Sequence, residues 1–313
     1  MKALLLLAFG GPRSLEEVEF LLTRLFGGRR PSQEQLERVK DRYRLIGGCS
    51  PLPEITASQA EQLAGRLNAK GYSFKPYVGM RYCHPLIEEI MTRVLEDGLR
   101  EVVAMPMAPF QSRASTGAYI EEVHRVNEGF RNKMEVTFVT EWHCHPLFLE
   151  AVRDKIEGGF LKFSLEERQR VHLIFTAHSL PKSMIVNDPY VKEIEESVEA
   201  VVSKVDHRPW HIAFQSKGAG PGEWVGPDVE SVLTELAAKG VRGVLIVPIG
   251  FVSDHIEILY DIDILFQKKA ESLGMVLKRT ESLNVSEKFI KALAAAVEDH
   301  LKGSKGSRVP GGQ

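Results

Sequence analysis

A histidine stands where a wholly apolar run stops. Residues 173–177, LIFTA, read as a buried strand, and His178 follows at its carboxyl end, just ahead of SLP at 179–181. A side chain in that place projects into whatever hollow the strand ends face. An imidazole, with an ordinary pKa near ~6.5, takes and returns protons around neutral pH. The alternative use of such a histidine is to tie down the turn before Pro181. A second constellation, GFVSDHIEILYDID at 250–263, follows another apolar run that ends at Pro248. On an α-helix capped by Ser253, Glu257 and Asp261 share one face, a turn apart, beside an apolar stripe of Ile256, Leu259 and Ile262. Two stacked carboxylates at a strand's carboxyl end can guide a divalent cation or relay protons. The same spacing also describes an ordinary solvated face. His255 would point to the far side of that helix, away from Glu257.

Other chemistry-bearing residues read more plainly. His143, Cys144 and His145 form a soft-metal triplet, but a zinc site needs further ligands at characteristic spacing, and the sequence nearby offers none. A loop leading to Pro146 at a helix start is the expected reading. The glycine-rich stretch SKGAGPGEWVGP, from Ser216, misses the dinucleotide-binding spacing, and no phosphate-cradling Walker motif occurs. Arg29, Arg30, Arg44 and Arg81 lie near strand ends of the first half, and arginine forks suit carboxylates.

Positioning these side chains requires a regular scaffold. Residues 3–9 read as a buried strand, with further strands at 74–81, 101–107, 135–140, 171–177, 210–216, 241–248 and 275–278. Between them the 3.6-residue apolar period places helices at 14–25, 32–46, 56–69, 85–97, 114–128, 145–158, 190–204, 227–239, 253–272 and 284–302. Ser14 with Glu17 reads as a capping box for the first. Such alternation specifies parallel sheet flanked by helices. GLREVVAMP at 98–106 echoes GVRGVLIVP at 240–248, and LLLAFGGP at 5–12 echoes IFTAHSLP at 174–181. Both echoes run in the same order, which predicts two similar halves, 1–145 and 146–302, with a cleft at their strand ends and a disordered tail at 303–313.

Composition narrows the partners. The formal net charge of −2 supplies no basic footprint for nucleic acid. Three scattered cysteines fit a reducing, cytoplasmic setting rather than a disulfide framework. The apolar start meets Gly10-Gly11-Pro12 and an acidic helix, which favours a strand over a signal peptide, and no run approaches the ~20 apolar residues of a membrane span.

Taken together, LLLAFGGP, YRLIGGCSPL, GMRYCHP, FTAHSLP, the FQSK and WVGPDV segments and PIGFVSDHIEILYDID resemble the ferrochelatase family. They stand in family order over roughly residues 1–302. The resemblance implies an α/β protein of two Rossmann-like, chelatase-type halves around a porphyrin cleft. The implied activity is a lyase reaction of haem biosynthesis, insertion of ferrous iron into coproporphyrin III or protoporphyrin IX by a monomer. It implies a catalytic pair, His178 and Glu257, with Asp261 beside them as a third metal-handling group. Arg44, Ser50 and Tyr119, with Arg29, match positions that hold propionates in coproporphyrin-type members, and Phe9 faces the opposite side of the ring. Those members often carry tyrosine where Phe9 stands, and Leu265 ends an acidic line that some relatives extend. The cysteine-bearing extension that holds an iron–sulfur cluster in some relatives has no counterpart, so no cluster is expected. Two other functions are compatible with the cleft residues: another tetrapyrrole metallochelatase, handling cobalt or sirohydrochlorin, and a non-catalytic porphyrin or haem carrier.

Overall fold

The computed structural model describes residues 1–205, 208–218 and 222–306. Two four-stranded parallel sheets organise the chain. The first takes the order β2-β1-β3-β4, from β1 (Lys2–Ala8), β2 (Phe74–Met80), β3 (Glu101–Pro106) and β4 (Glu135–Phe138). The second repeats it as β6-β5-β7-β8, from β5 (Val171–His178), β6 (Trp210–Gln215), β7 (Gly243–Val247) and β8 (Val276–Arg279). The sequence echoes therefore mark equivalent strands, β1 with β5 and β3 with β7.

Five α-helices accompany the first sheet: α1 (Glu17–Leu25), α2 (Gln33–Leu45), α3 (Leu52–Asn68), α4 (Ile87–Glu96) and α5 (Ala118–Gly129). Among the described residues six follow: α6 (Pro146–Phe160), α7 (Leu165–Arg168), α8 (Tyr190–Val202), α9 (Val229–Ala238), α10 (Gln267–Ser272) and α11 (Glu287–Gly306). Two segments wind as π-helices, Arg113–Gly117 and Glu257–Phe266. Local chemistry sets several boundaries. The Ser32 hydroxyl accepts from the Gln35 amide while the Gln35 side chain accepts from Ser32, a complete capping box at α2. The box expected at Ser14 does not form. α1 starts at Glu17, whose carboxylate instead accepts the Arg13 amide at 2.8 Å. α3 starts at Leu52, earlier than the apolar period suggests, because Pro51 and Pro53 suit a first turn. α11 runs on to Gly306, past the expected end at 302; residues 307–313 of the expected tail lie outside the described residues, as do 219–221 of the glycine-rich stretch.

The continuous apolar strands are explained by what covers them. Leu4 and Leu6 face one hydrophobic cluster and Leu5 and Leu7 another, and all four are fully buried. On β7, Leu245 and Val247 face the cluster that takes Leu4, while Val244 and Ile246 face a third. Alternate side chains point to opposite faces, so a strand covered on both sides must be apolar throughout. Each buried leucine stabilises by roughly 1.5–3 kcal/mol. One cluster is common to both halves: it joins Leu4 and Leu6 of β1 to Leu173 and Phe175 of β5 through apolar faces of α3, α6, α8 and α11. α11 packs on both α3 and α6, and Lys288 on it pairs with Glu150 and Asp154.

Candidate active site

The site is built at the carboxyl ends of β5, β6 and β7. His178 is the last residue of β5. Its carbonyl is held by the Tyr190 hydroxyl at 2.9 Å, and its Nδ1 lies 2.5 Å from the Ser179 carbonyl oxygen. A carbonyl oxygen only accepts, so Nδ1–H donates and Nε2 is the nitrogen left for other partners. That free nitrogen lies 3.5 Å from Glu257 Oε1, with the two side chains 36% and 25% exposed, enough to admit a reactant.

Three neighbouring strand ends hold Glu257 in place. Gly250, just past β7, donates its amide to the Thr176 carbonyl at 3.0 Å. A Cβ there would sit 2.7 Å from Ala177 Cα, so only glycine lets the β7 loop cross β5 beside His178. At the end of β6, the Gln215 side-chain amide donates to the Glu257 carbonyl at 2.7 Å. The next residue, Ser216, donates to Asp261 Oδ2 at 2.6 Å.

The segment carrying these acids is not the α-helix from 253 that the apolar spacing suggests. It is a π-helix from Glu257 to Phe266, continued by α10. Ser253 does not cap it; that hydroxyl is buried and accepts from Gln59 at 2.9 Å. Single π turns inside helices concentrate at functional sites. The later start also frees His255 from the helix. Its Nδ1 donates to the Ser253 carbonyl at 3.1 Å, and its Nε2 reaches 3.7 Å from Glu257 Oε2. The expectation that His255 faces away from Glu257 fails for this reason. Two imidazole nitrogens flank one carboxylate.

Electrostatics separates the two acids. Burial pushes the Glu257 carboxyl up, but His178 and His255 outweigh it, and the group ends below the usual carboxylate range. Burial also raises Asp261, helped by the negative charge of Glu257 and only partly opposed by the Ser216 hydrogen bond; this carboxyl ends above its ordinary value. A raised carboxyl favours the folded state only while protonated. That stability is lost as pH climbs from the unfolded-state value through the folded one. Asp261→Asn is therefore expected to raise the melting temperature at pH 7 by about 1–3 °C, while slowing turnover at the site roughly tenfold. Thermal melts at pH 7 beside turnover measurements check both.

The equivalent end of the first sheet carries its own set of side chains. Phe9 directly follows β1, 42% exposed, with its ring 4.6 Å from that of Tyr82. The Arg81 guanidinium lies 5.0 Å over Tyr82. Tyr119 is buried, its phenol pushed up by burial, and it feels the charge of Arg81. Ser50 is buried against the turn after Phe9: its amide donates to Pro12 at 2.8 Å and its hydroxyl accepts from Leu52. A Cβ on Gly11 would collide with it. The halves touch where Ile256 packs with Val18, Tyr43 and Cys83.

The arginines sort differently from expectation. Arg44 is engaged on α2 by Asp41 and, at 3.1 Å, by Glu37. Arg29 is exposed and turns back to the Phe26 carbonyl. Arg42, which spacing did not single out, lies 5.3 Å over the Tyr260 ring of the π-helix and acts electrostatically on Asp261. Its neighbour Tyr43 is buried, and burial, with the charges of Cys83 and Glu257, raises that phenol. Arg42 has no one-dimensional signal, and His255, though visible beside Glu257, is turned the wrong way by the expected helix start. Both required knowing where a helix begins and which way it turns.

An open cleft of about 740 Å³ is lined by Lys155, Asp254, Asp263 and Arg279, among others, without His178 or Glu257. Its charges are mutually engaged: Arg279 with Asp263 and Asp254, Lys155 with Glu281.

Two repeated parallel lobes, with an imidazole and carboxylates converging at the strand ends, define the chain as a chelatase-type α/β protein. The fold is that of SirB from Bacillus subtilis with Fe3+ (TM-score 0.60, 14% identity, 98% of each chain). CbiX, the terminal enzyme of sirohaem biosynthesis in denitrifying bacteria, is also similar (TM-score 0.54, 9% identity, 95% of this chain and 99% of that one). At these identities the likeness concerns architecture alone. The family model for ferrochelatase matches residues 1–301, and the chain belongs to the ferrochelatase family. Ferrochelatase of Herpetosiphon aurantiacus is 38% identical over 94% of this chain and 97% of its own length. Coproporphyrin III ferrochelatase of Geobacillus sp. strain WCH70 is 36% identical over 96% and 97%. The chain is accordingly a lyase-class metallochelatase that inserts ferrous iron into a porphyrin in haem biosynthesis.

Proposed function

We propose that the porphyrin is coproporphyrin III and that His178, Glu257 and Asp261 carry the insertion. The observation behind this reading is the free Nε2 of His178, 3.5 Å from the Glu257 carboxylate. Insertion breaks two pyrrole N–H bonds and forms metal–nitrogen bonds in their place, so two protons must leave as the dication enters. His178 Nε2 takes the first. The imidazolium so formed is stabilised by Glu257, which is held in its ionised form. Ferrous iron is the incoming substrate, and the Glu257 oxygens with the flanking Nε2 atoms are donors that suit it. Asp261, whose carboxyl is raised, passes the second proton towards water.

Phe9 and Tyr82 offer an aromatic wall to one face of the ring. Arg42 lies over Tyr260 beside the acids and Arg81 over Tyr82 next to Phe9; among the described residues neither has a carboxylate at ion-pair distance, so both are open to propionates. Ser50 and Tyr119 shape the same end. Arg29 and Arg44 join only by leaving the contacts they now make. Four carboxylates on the ring give these cations more to hold than two. Coproporphyrin III ferrochelatases also stand among the relatives, at 36% and 34% identity.

In this reading the working unit is a monomer, with every group named supplied by the one chain. No cluster belongs to this reading, because such clusters take four ligands, usually thiolates, and the chain has three cysteines, one of them buried. Those unpaired cysteines favour a reducing compartment such as the cytoplasm. No helix of the described residues is long and apolar enough to cross a membrane. Anaerobic absorbance assays with ferrous iron and each porphyrin in turn test the substrate. Coproporphyrin III should give the higher kcat/KM, and a preference for protoporphyrin IX would overturn that choice.

A further inference from the structure

The soft-metal triplet that lacked ligands in the sequence acquires one in three dimensions. α8 brings Glu196, 53 positions beyond His143, to within 3.4 Å of His143 Nε2. One ligand atom from each of His143, Cys144 and Glu196 lies within 4.8 Å of the other two. A separation of 3.4 Å is long for a charge-assisted hydrogen bond, at ~2.7–2.9 Å. It matches the roughly 3.3–3.4 Å between two ligands of a tetrahedral ion with ~2.0–2.1 Å bonds.

The surroundings support the imidazole as a ligand. His143 Nδ1 is buried without a hydrogen-bond partner and faces the carboxylate of Glu193 at 3.7 Å. Glu193 is itself buried, and its Oε2 is fixed by the Gln111 amide at 2.6 Å. A carboxylate behind the far nitrogen of a histidine is the arrangement that orients metal-binding imidazoles. The Ser197 hydroxyl donates to the His143 carbonyl at 2.9 Å and so pins the backbone between α6 and α8. Cys144 is exposed, with only a long 3.9 Å contact to Ser197, so its sulfur is accessible.

We propose that His143 Nε2, Cys144 Sγ and Glu196 bind one borderline divalent cation of the zinc class, with water in the fourth position, at a site separate from the cleft. One thiolate, one imidazole and one carboxylate suit zinc, and cobalt is its spectroscopic substitute. Binding displaces the Cys144 thiol proton to solvent and involves no redox change. None of the three residues takes part in the insertion chemistry, so this proposal does not depend on the porphyrin assignment.

The test is titration of the metal-free full-length protein with cobalt alone. Wild type should show thiolate-to-cobalt charge-transfer absorption saturating at one equivalent. Cys144→Ser and His143→Gln should each lose at least ~100-fold in affinity for that signal. Cys49→Ser and His178→Ala should keep it. Absence of the band in wild type overturns the proposal, as does its persistence in Cys144→Ser or its loss in Cys49→Ser. Matching circular dichroism spectra of the variants separate loss of a ligand from loss of fold.

Discussion

Replacing His178 with alanine is expected to lower the rate of ferrous insertion by at least ~100-fold, the usual scale for a positioned acid–base group, while porphyrin affinity stays within a few-fold of wild type. The geometry makes this a clean experiment. The Tyr190 hydroxyl grips the carbonyl of residue 178, not its side chain, so that anchor survives in the variant. The imidazole is partly exposed and makes one hydrogen bond to a neighbouring carbonyl, so its removal leaves the fold in place; because it also lowers the Glu257 carboxyl, the variant should melt somewhat below wild type at pH 7. Fluorescence quenching on porphyrin binding, followed by anaerobic single-turnover absorbance, separates affinity from chemistry. Insertion at near-normal rate would remove His178 from the mechanism.

Glu257→Gln should slow insertion by roughly 100-fold, more than Asp261→Asn. The amide keeps the shape of the carboxylate but removes the charge between two imidazole nitrogens, and with it both the anionic ligand and the partner of the imidazolium. Stability should move the opposite way from the Asp261 variant. A carboxyl held below its ordinary value stabilises the fold above the unfolded-state pKa and ceases to do so as pH falls through the folded one. Glu257→Gln should therefore melt below wild type at pH 7, with the gap closing in acid. Asp261→Asn should melt above it. Two carboxyl-to-amide changes, both within reach of Ser216, then shift melting in opposite directions. Equal and trivial effects on insertion would reduce the acidic pair to a solvated face.

Much of this arrangement was legible in one dimension because it depends on strands. Leu4 to Leu7 announce a two-sided strand, and the echo between 98–106 and 240–248 announces a repeated sheet, which the shared strand order realises. His178 was readable because the end of an apolar run fixes where a side chain emerges. Helical detail was less readable. A π-helix differs from an α-helix by one residue in its hydrogen-bond step, and residues 257–266 fit the apolar pattern of either. The misplaced start moved His255 to the wrong side. Arg42 and Arg44 sit on either side of buried Tyr43, and nothing in their spacing says which one leans towards Tyr260 and which pairs along α2. Glu196 meets His143 only because α8 packs against α6, a contact no local pattern encodes.

The cluster that runs from β1 to β5, strapped by α11, has a consequence for traffic through the enzyme. Lobes that share one interior cannot swing apart as rigid bodies about a hinge without exposing that interior, and close-packed cores do not stretch. A flat macrocycle must then be admitted, and its metallated form let go, by small rearrangements of rim side chains and of short segments beyond the strand ends, such as the one after β5, which holds a 3-10 turn at Lys182–Met184 and leaves Met184 and Val186 open to solvent. Turnover should accordingly respond to substitutions along that rim, and the two lobes should melt together as one cooperative unit.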